Sequence, residues 1–201
     1  MAQKRKYSMG RRRERINQTR ARIIKATMEL HEEIGGARTT ISAIAERAGV
    51  ERLTVYRHFP DEAALFQACT AHWLTLNPPP NAEDWSEIVD PRERTKAALE
   101  SFASYYRATE PMWVSSYRDL DDVPALAEPM ARFHQYLAAI RDDLLAAWNP
   151  GKSSRRMLTA LLDHALHFQT WQSFARNRLK DKEIAELLTA CVASAVHSKR
   201  S

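Results

Sequence analysis

The sequence predicts an all-α protein in which an N-terminal three-helix module precedes a larger helical domain. Apolar residues recur at intervals of three and four along most of the chain, and no segment sustains the alternation expected of a strand. Glycine, which weakens helices, occurs only five times in 201 residues. Residues 1–60 carry a net charge of +8, whereas the remainder carries −3. We predict a basic tail over residues 1–18, a compact module over residues 19–60 and a helical domain over residues 61–201.

The basic tail is the most strongly charged part of the chain. Residues 1–25 contain ten Lys and Arg residues against one acidic residue, Glu14. A segment of this composition is predicted to stay disordered until it binds a polyanion, and its binding would be sensitive to salt. Such arms can also enter the minor groove of DNA. A tail that serves only solubility is the alternative.

Residues 40–59 have the pattern of two short helices joined by a tight turn. Thr40 is placed to cap the first helix, and Gly49 can adopt the left-handed conformation that ends it. Val55 and Phe59 continue the apolar face in the second helix, which Pro60 ends. The apolar face of the first helix consists of Ile41, Ile44, Ala45 and Ala48. This arrangement is typical of a helix-turn-helix.

The second helix of this pair would present polar groups to a DNA groove. With Val55 and Phe59 turned inward, the outward residues are predicted to be Arg52, Thr54 and Arg57, together with Leu53 and His58. Arginine pairs with guanine edges, threonine contacts bases or the thymine methyl group, and Tyr56 can reach a phosphate. The alternative is an amphipathic helical hairpin with a solvated outer face.

Residues 19–70 resemble the TetR family of ligand-responsive bacterial repressors. The strings AGVERLTVYRHFPDEAALF and TRARIIKATMELHEEIGGARTTISAIAERA carry the resemblance. It implies a DNA-binding helix-turn-helix module and a helical domain for ligand binding and dimerisation. It places Thr40 and Ser42 at the start of the second helix against DNA. The remaining implied contacts lie in the recognition helix, with Arg52, Leu53 and Thr54 near base edges and Tyr56 and His58 near the backbone.

Three positions depart from the family pattern. Leu53 stands where a small residue is usual, so it would add a bulky apolar contact. Glu51 stands at the start of the recognition helix, where it suits the helix dipole but would repel a phosphate. Glu62 occupies the position of a lysine that usually binds phosphate, so we expect that contact to be missing here.

The rest of the chain is predicted to be helical. The predicted helices span residues 19–33, 61–76, 91–108, a shorter one from residue 111, 125–148, 153–176 and 181–197. The fourth helix from the N-terminus would be the lever by which a ligand changes the spacing of two DNA-reading heads, as the family implies.

The last two predicted helices indicate a homodimer. Six apolar residues are predicted to surround most of the helix over residues 153–176: Leu158, Leu161, Leu162, Ala165, Phe168 and Trp171. A helix that is apolar on several sides requires several neighbours. We therefore predict a twofold dimer that reads a palindromic DNA site. An ordinary buried hairpin is the alternative.

An effector pocket is predicted from aromatic and histidine residues in the middle helices, and a packed core is the alternative. The candidates are Phe102, Tyr106, Trp113, Tyr117, Phe133, His134, His164, Phe168 and Trp171. Asp163, His164 and His167 suggest a metal, but no matching carboxylate and histidine pair occurs on another helix, so no metal or cofactor is predicted. Cys69 and Cys191 are predicted to be buried, unpaired thiols in a reducing compartment.

Three functions are compatible with these patterns. The favoured one is a cytoplasmic, homodimeric DNA-binding repressor that a small apolar or amphipathic molecule releases from its operator. The second is a DNA-binding protein of the same fold that has no effector or responds to a protein partner. The third, a small helical enzyme, has no nucleophile elbow or glycine-rich phosphate loop to support it. No apolar run approaches the ~18 residues required to span a membrane.

Overall fold

The structure is a computed structural model that describes the backbone of residues 2–197 and the side chains of residues 10–196. Within these residues the chain forms nine α-helices and no strand, which confirms the predicted all-α class. They are α1 (Ala2–Glu33), α2 (Ile41–Ala48), α3 (Arg52–His58), α4 (Glu62–Leu76), α5 (Pro91–Arg118), α6 (Ala127–Trp148), α7 (Lys152–Leu166), α8 (Phe168–Arg176) and α9 (Asp181–His197). None of the described helices combines the length and apolar character that crossing a bilayer demands.

The chain divides into two compact units. Unit 1 comprises Met1–Asn77 and Val114–Pro129, and unit 2 comprises Pro78–Trp113 and Met130–Ser201. Helix α4 therefore belongs to unit 1 together with α1, α2 and α3. The division at residue 60 between DNA-binding and regulatory functions remains a prediction.

The core of unit 1 joins α1 to the three helices that follow it. Its buried apolar side chains include Ile23, Leu30, Ile44, Ala48, Val55, Phe59 and Leu65. Polar contacts reinforce this packing at the rim. Arg47 of α2 donates two hydrogen bonds to Glu33 of α1, at 2.6 and 2.7 Å. The indole N–H of Trp73 in α4 donates to Glu32, also in α1, at 3.0 Å. These contacts hold α2 and α4 against α1.

A polar latch holds the loop between α1 and α2 to the end of α5. The Arg118 guanidinium donates to the carbonyl of Ile34 at 2.9 Å and pairs with Asp119 at 2.6 Å. The Asp119 carboxylate in turn accepts the backbone N–H of Ala37 at 3.1 Å. Gly35 lies beside both side chains with a φ of 90°, a conformation that favours glycine. Arg118 therefore compensates the charge of the buried Asp119 carboxylate, and this carboxylate holds the loop at Ala37.

Helix α1 begins far earlier than the sequence predicts. We predicted its start near residue 19 and a disordered tail before it, whereas the helix starts at Ala2. Residues 10–18 are exposed, so tertiary packing does not hold this part of the helix. Arginine and lysine are good helix formers and this extension contains no proline, so local propensity permits a helix here, against the opposing effects of Gly10 and of repulsion between neighbouring cations. The structure therefore has a helix where the sequence predicts a disordered tail.

Helix α5 continues through Pro111, where the sequence predicts a break between two helices. A proline inside a helix removes its own N–H and crowds the carbonyl four residues earlier, here that of Arg107. The buried rings of Tyr106 and Trp113 lie on either side of this point. The two rings contact each other with centroids 6.0 Å apart, and the helix continues despite the missing hydrogen bond.

The predicted single helix over residues 153–176 is wrong. The backbone leaves the helical conformation at His167, with φ −73° and ψ 139°, and α8 starts at the next residue. The break separates the apolar residues into two sets, and each set occupies one face of its own helix. The buried set of α7 is Leu158, Leu162, Ala165 and Leu166, and that of α8 includes Phe168 and Trp171. The sequence predicts apolar residues on several sides of one helix because it treats two separate helices as one.

Only one of the two cysteines is buried as predicted. Cys69 is buried in unit 1, whereas Cys191 is exposed on α9. Cys191 shares its side of α9 with Leu187, which is 42 % exposed. The apolar pattern of α9 thus covers both a buried face and part of the solvent-facing surface.

His31 is a buried titratable group between α1 and α4. Its ring packs on Phe66 with centroids 5.0 Å apart, and its Nδ1 lies 3.8 Å from the sulfur of Cys69. Burial lowers the pKa of His31 to about 4, although the nearby Asp119 carboxylate opposes the shift. Burial also raises the pKa of Cys69 to about 12, so the thiol is protonated at neutral pH. Both side chains are neutral in this core.

We expect the stability of the fold to depend on pH through His31. Its folded pKa lies below the ordinary value of 6.5, so the unfolded chain binds the proton more readily. The contribution of the neutral His31 to the free energy of unfolding is complete above pH 6.5. It is lost as the pH falls from 6.5 towards 4, and the total loss is about 3 kcal/mol. Urea unfolding at pH 7.0, 5.5 and 4.5 should show a smaller decline for His31→Gln than for the wild type. Parallel declines would show that His31 does not titrate in this window, since both proteins share the carboxylates.

Candidate nucleic-acid interface

The N-terminus of α2 is capped as predicted. Thr40 adopts an extended conformation, and its hydroxyl accepts the backbone N–H of Ala43 at 3.1 Å. Ser42 is exposed in the first turn of α2, which contains no acidic residue. The free N–H groups and positive dipole end of such a turn attract a phosphate. Thr40 and Ser42 therefore flank a place where a DNA backbone could bind.

Gly49 forms the turn between α2 and α3. Its φ of 63° and ψ of 45° place it in the left-handed region, as predicted. Its N–H donates to the carbonyl of Glu46, and the N–H of Val50 donates to that of Ala45 at 2.9 Å. These two hydrogen bonds satisfy carbonyls at the end of α2 and fix the angle at which α3 leaves the turn.

The exposed face of α3 is narrower than the sequence predicts. Arg52, Leu53, Tyr56 and Arg57 are exposed and form a continuous face, with Leu53 57 % and Tyr56 43 % accessible. The side chains of Thr54 and His58 were predicted to point outward but are half-buried at the edges of this face. The residues that anchor α3 are Val55 and Phe59, at 1 and 3 % exposure. The four exposed residues define the recognition face.

A basic residue of α1 contacts the C-terminal end of α3, which the sequence patterns did not indicate. The Arg20 guanidinium lies over the Phe59 ring, 4.9 Å from its centroid. Burial, and then the nearby Arg20 charge, lower the pKa of His58. The lowered pKa favours the neutral imidazole of His58, which can offer a phosphate a hydrogen bond. Arg20 supplies the positive charge at this edge.

Glu51 and Glu62, the two acids predicted to weaken phosphate binding, both lie at the start of a helix. Glu51 is the exposed N-cap of α3, and its side chain makes no capping hydrogen bond. Asp61 caps α4 by accepting the N–H of Ala64 at 2.7 Å, and Glu62 follows in the first turn. Both acids suit the positive ends of their helices. Glu51 directly precedes Arg52 of the recognition face, so its negative charge would repel a phosphate there.

The basic segment of α1 has the wrong dimensions for the predicted entry into a minor groove. Arg11, Arg12, Arg13 and Arg15 are exposed on a continuous helix. A helix with side chains is about 10 Å across, whereas the minor groove is about 6 Å wide. While it remains helical, this segment can contact phosphates from outside the groove but cannot lie within it.

The candidate effector residues of unit 2 form a close-packed aromatic cluster. The cluster comprises Phe102, Tyr106, Trp113, Phe133, Phe168 and Trp171, all of which are buried. Ring centroids are 4.3 Å apart for Trp113 and Phe133 and 5.4 Å apart for Tyr106 and Phe168. The Tyr106 hydroxyl donates to the carbonyl of Leu166 at 2.7 Å, and the Trp171 indole donates to Asp181 at 3.1 Å. The structure thus places these six residues in the core of unit 2.

The other three candidates lie elsewhere. Tyr117 is half-buried in unit 1. His134 is half-buried with its ring 5.7 Å from that of His167, while His164 is exposed and contacts Thr170. Asp163 pairs with Arg141 at 3.1 Å. Among the side chains of residues 10–196, no three His, Cys, Asp or Glu residues are grouped to hold a metal ion.

Comparison with known proteins agrees with this geometry. Residues 23–69 match the family model for bacterial regulatory proteins of the tetR family. The nucleoid occlusion factor SlmA of a Marinomonas species is 39 % identical over 51 residues, which cover 25 % of this chain and 26 % of SlmA. The HTH-type transcriptional regulator TtgR of Pseudomonas putida is 47 % identical over 55 residues, 27 % of this chain and 26 % of TtgR. The chain therefore matches about a quarter of the length of these curated relatives.

The likeness of fold extends over most of the chain. A TetR-like transcriptional regulator from Rhodococcus sp. RHA1 superposes with a TM-score of 0.65 at 18 % identity, covering 90 % of this chain and 97 % of that structure. At this identity the comparison establishes the fold alone. The chain therefore carries the N-terminal helix-turn-helix module of the TetR family of bacterial regulatory proteins, within the all-helical fold of a solved TetR-like regulator.

Proposed function

We propose that the protein is a homodimeric transcriptional repressor that binds a palindromic DNA operator and is released by a small molecule. The observation that carries the proposal is the recognition face of Arg52, Leu53, Tyr56 and Arg57 on α3, whose opposite face is buried in the core of unit 1. Arginine reads guanine edges in the major groove, and tyrosine contacts phosphates. The N-terminus of α2 and the basic residues of α1 would add contacts to the DNA backbone.

Dimerisation is proposed through the apolar surface that α7 and α9 leave exposed. Met157 of α7 is 45 % exposed and Leu187 of α9 is 42 % exposed. Exposed apolar side chains on neighbouring helices favour burial against a second copy. Twofold symmetry would then place two recognition helices in successive major grooves, about 34 Å apart.

Effector release is proposed as a shift between a DNA-competent and an incompetent state of the dimer. A ligand achieves this only by binding one state better than the other. The aromatic cluster of unit 2 offers apolar surface to an apolar or amphipathic molecule, but its rings are in mutual contact. An effector would therefore have to displace packed side chains, for example between Trp113 and Phe133.

The close packing of the aromatic cluster favours one alternative, a DNA-binding protein of the same fold without a small-molecule effector. The name of the relative SlmA, a nucleoid occlusion factor, indicates that this module also occurs in a protein with a different role. A partner-regulated or architectural protein would bind DNA but would show no release by small molecules.

Fluorescence anisotropy would test the proposed function directly. The full chain is titrated into labelled DNA from the region upstream of its own coding sequence, with scrambled DNA as the control, at near-physiological salt. We expect preferential binding with a stoichiometry of whole dimers. Equal, weak binding to both DNAs would contradict specific recognition of this site, and Glu51, Leu53 and Glu62 would be the first residues to replace.

The basic part of α1 is expected to add affinity without specificity. Deleting residues 1–15 removes seven Lys and Arg residues. The slope of log affinity against log salt should become shallower by about 0.9 for each phosphate that the shortened protein no longer neutralises. A variant with Arg11, Arg12, Arg13 and Arg15 replaced by lysine retains the charge and should keep the original slope. An unchanged slope after the deletion would remove this segment from the interface.

A further inference from the structure

A surface depression of about 500 Å³ lies where α7 begins beside α6 in unit 2. Its lining is strongly basic, which the proposed DNA interface and the aromatic cluster do not explain. The charged side chains around it are Arg141 from α6 and Lys152, Arg155, Arg156 and Asp163 from α7. We call this feature the basic depression.

The positive charge of the basic depression is only partly compensated. Arg141 pairs with Asp142 at 2.9 Å and with Asp163 at 3.1 Å. Among the side chains of residues 10–196, Lys152, Arg155 and Arg156 form no ion pair. Four cations therefore face two carboxylates, and an excess of two positive charges remains on one small area.

The cations also lie at the end of α7 where they are least favourable. The first turn of a helix is positive and attracts acids, yet α7 starts with Lys152 and has no acidic residue there. Gly151 provides no side-chain cap. Helix α9 of the same unit follows the usual rule, with Asp181 and Glu183 in its first turn. Helix α8 of the same unit also lacks an acid in its first turn, so what distinguishes α7 is the group of cations near its start.

We propose that the basic depression binds a small polyanion, a molecule with two or more phosphate or carboxylate groups. Arg155 and Arg156 would bind its anionic oxygens through charge-assisted hydrogen bonds, which are the stronger class of such bonds. The volume lies within the range of small-molecule sites. Asp163 in the same lining stays paired with Arg141 at 3.1 Å, which leaves Lys152, Arg155 and Arg156 to bind the anion. This inference goes beyond the proposed function, because the site does not depend on DNA binding.

Isothermal titration calorimetry on the full chain tests this proposal. Sodium pyrophosphate and sodium citrate are titrated separately, with ionic strength held constant by sodium chloride. We expect one saturable site per chain for at least one probe, and the preferred probe identifies phosphate or carboxylate as the ligand chemistry. The double variant Arg155→Ala, Arg156→Ala should bind at least about tenfold more weakly.

Two further variants make the test specific. Replacing both arginines by lysine retains the charge, so much of the binding should remain, provided that the unfolding midpoint is unchanged. The control, Arg92→Ala with Lys182→Ala, removes two exposed cations elsewhere in unit 2 and should bind as the wild type does. No saturable heat with either probe would overturn the proposal, as would equally weakened binding in the two alanine variants. A weaker salt dependence of DNA binding in Arg155→Ala, Arg156→Ala would instead identify a nucleic-acid contact and also overturn it.

Discussion

Replacing Gly35 with alanine is expected to destabilise unit 1 by about 3 kcal/mol. The residue has a φ of 90°, which costs any other residue conformational energy. An added Cβ would also overlap the Arg118 guanidinium and the Asp119 carboxylate. Relieving the overlap breaks the hydrogen bonds from Arg118 to Ile34 and from Ala37 to Asp119. A buried carboxylate would then lose part of its compensation.

Urea unfolding followed by circular dichroism measures this destabilisation. The matched control is Gly10→Ala, because Gly10 lies in α1 and an added Cβ meets no atom within 4 Å. Alanine favours helix over glycine, so the control should be unchanged or slightly stabilised. If Gly35→Ala unfolded at the same urea concentration as the control, the polar latch would contribute nothing measurable.

Replacing Arg52 and Thr54 together with alanine is expected to weaken operator binding by about a hundredfold. A good contact to a base edge contributes about 1–3 kcal/mol of discrimination, so two contacts give an effect of this order. Arg52 is fully presented on the recognition face, while Thr54 is half-buried at its edge. Binding to scrambled DNA should change much less, because phosphate contacts supply most of it.

The same anisotropy assay compares operator and scrambled DNA for each protein. Arg92→Ala is the control, since it removes an exposed arginine from unit 2 without touching the recognition face. An unchanged preference for operator in the double variant would show that α3 is not the recognition helix. A single replacement of Arg52 then separates its contribution from that of the half-buried Thr54, which also packs within unit 1.

The ends of the short helices could be predicted from the sequence because their signals act within four residues. Thr40 and Asp61 cap α2 and α4 through hydrogen bonds to backbone N–H groups three residues ahead. Gly49 ends α2 in the left-handed conformation that few other residues adopt at low cost. Each signal is complete in the local sequence, so no distant contact was needed to interpret it.

The aromatic residues of unit 2 illustrate why site predictions are harder than fold predictions. The sequence places Trp113 and Phe133 at helical spacings that suit either a pocket or a core. Only their approach to 4.3 Å, from different helices, reveals a packed core. Side-chain contacts between α5 and α6 depend on how the helices pack, and helical periodicity does not contain that information.

By itself the sequence determined the all-α class, the helix-turn-helix and the inward positions of Val55 and Phe59, since periodicity and caps are local properties. The tertiary structure alone decided that α5 passes through Pro111 and that a break at His167 separates α7 from α8. It also decided the latch between Gly35 and Asp119, whose partners are far apart in the chain. These features depend on packing between distant segments, which can override a local preference worth a few kcal/mol.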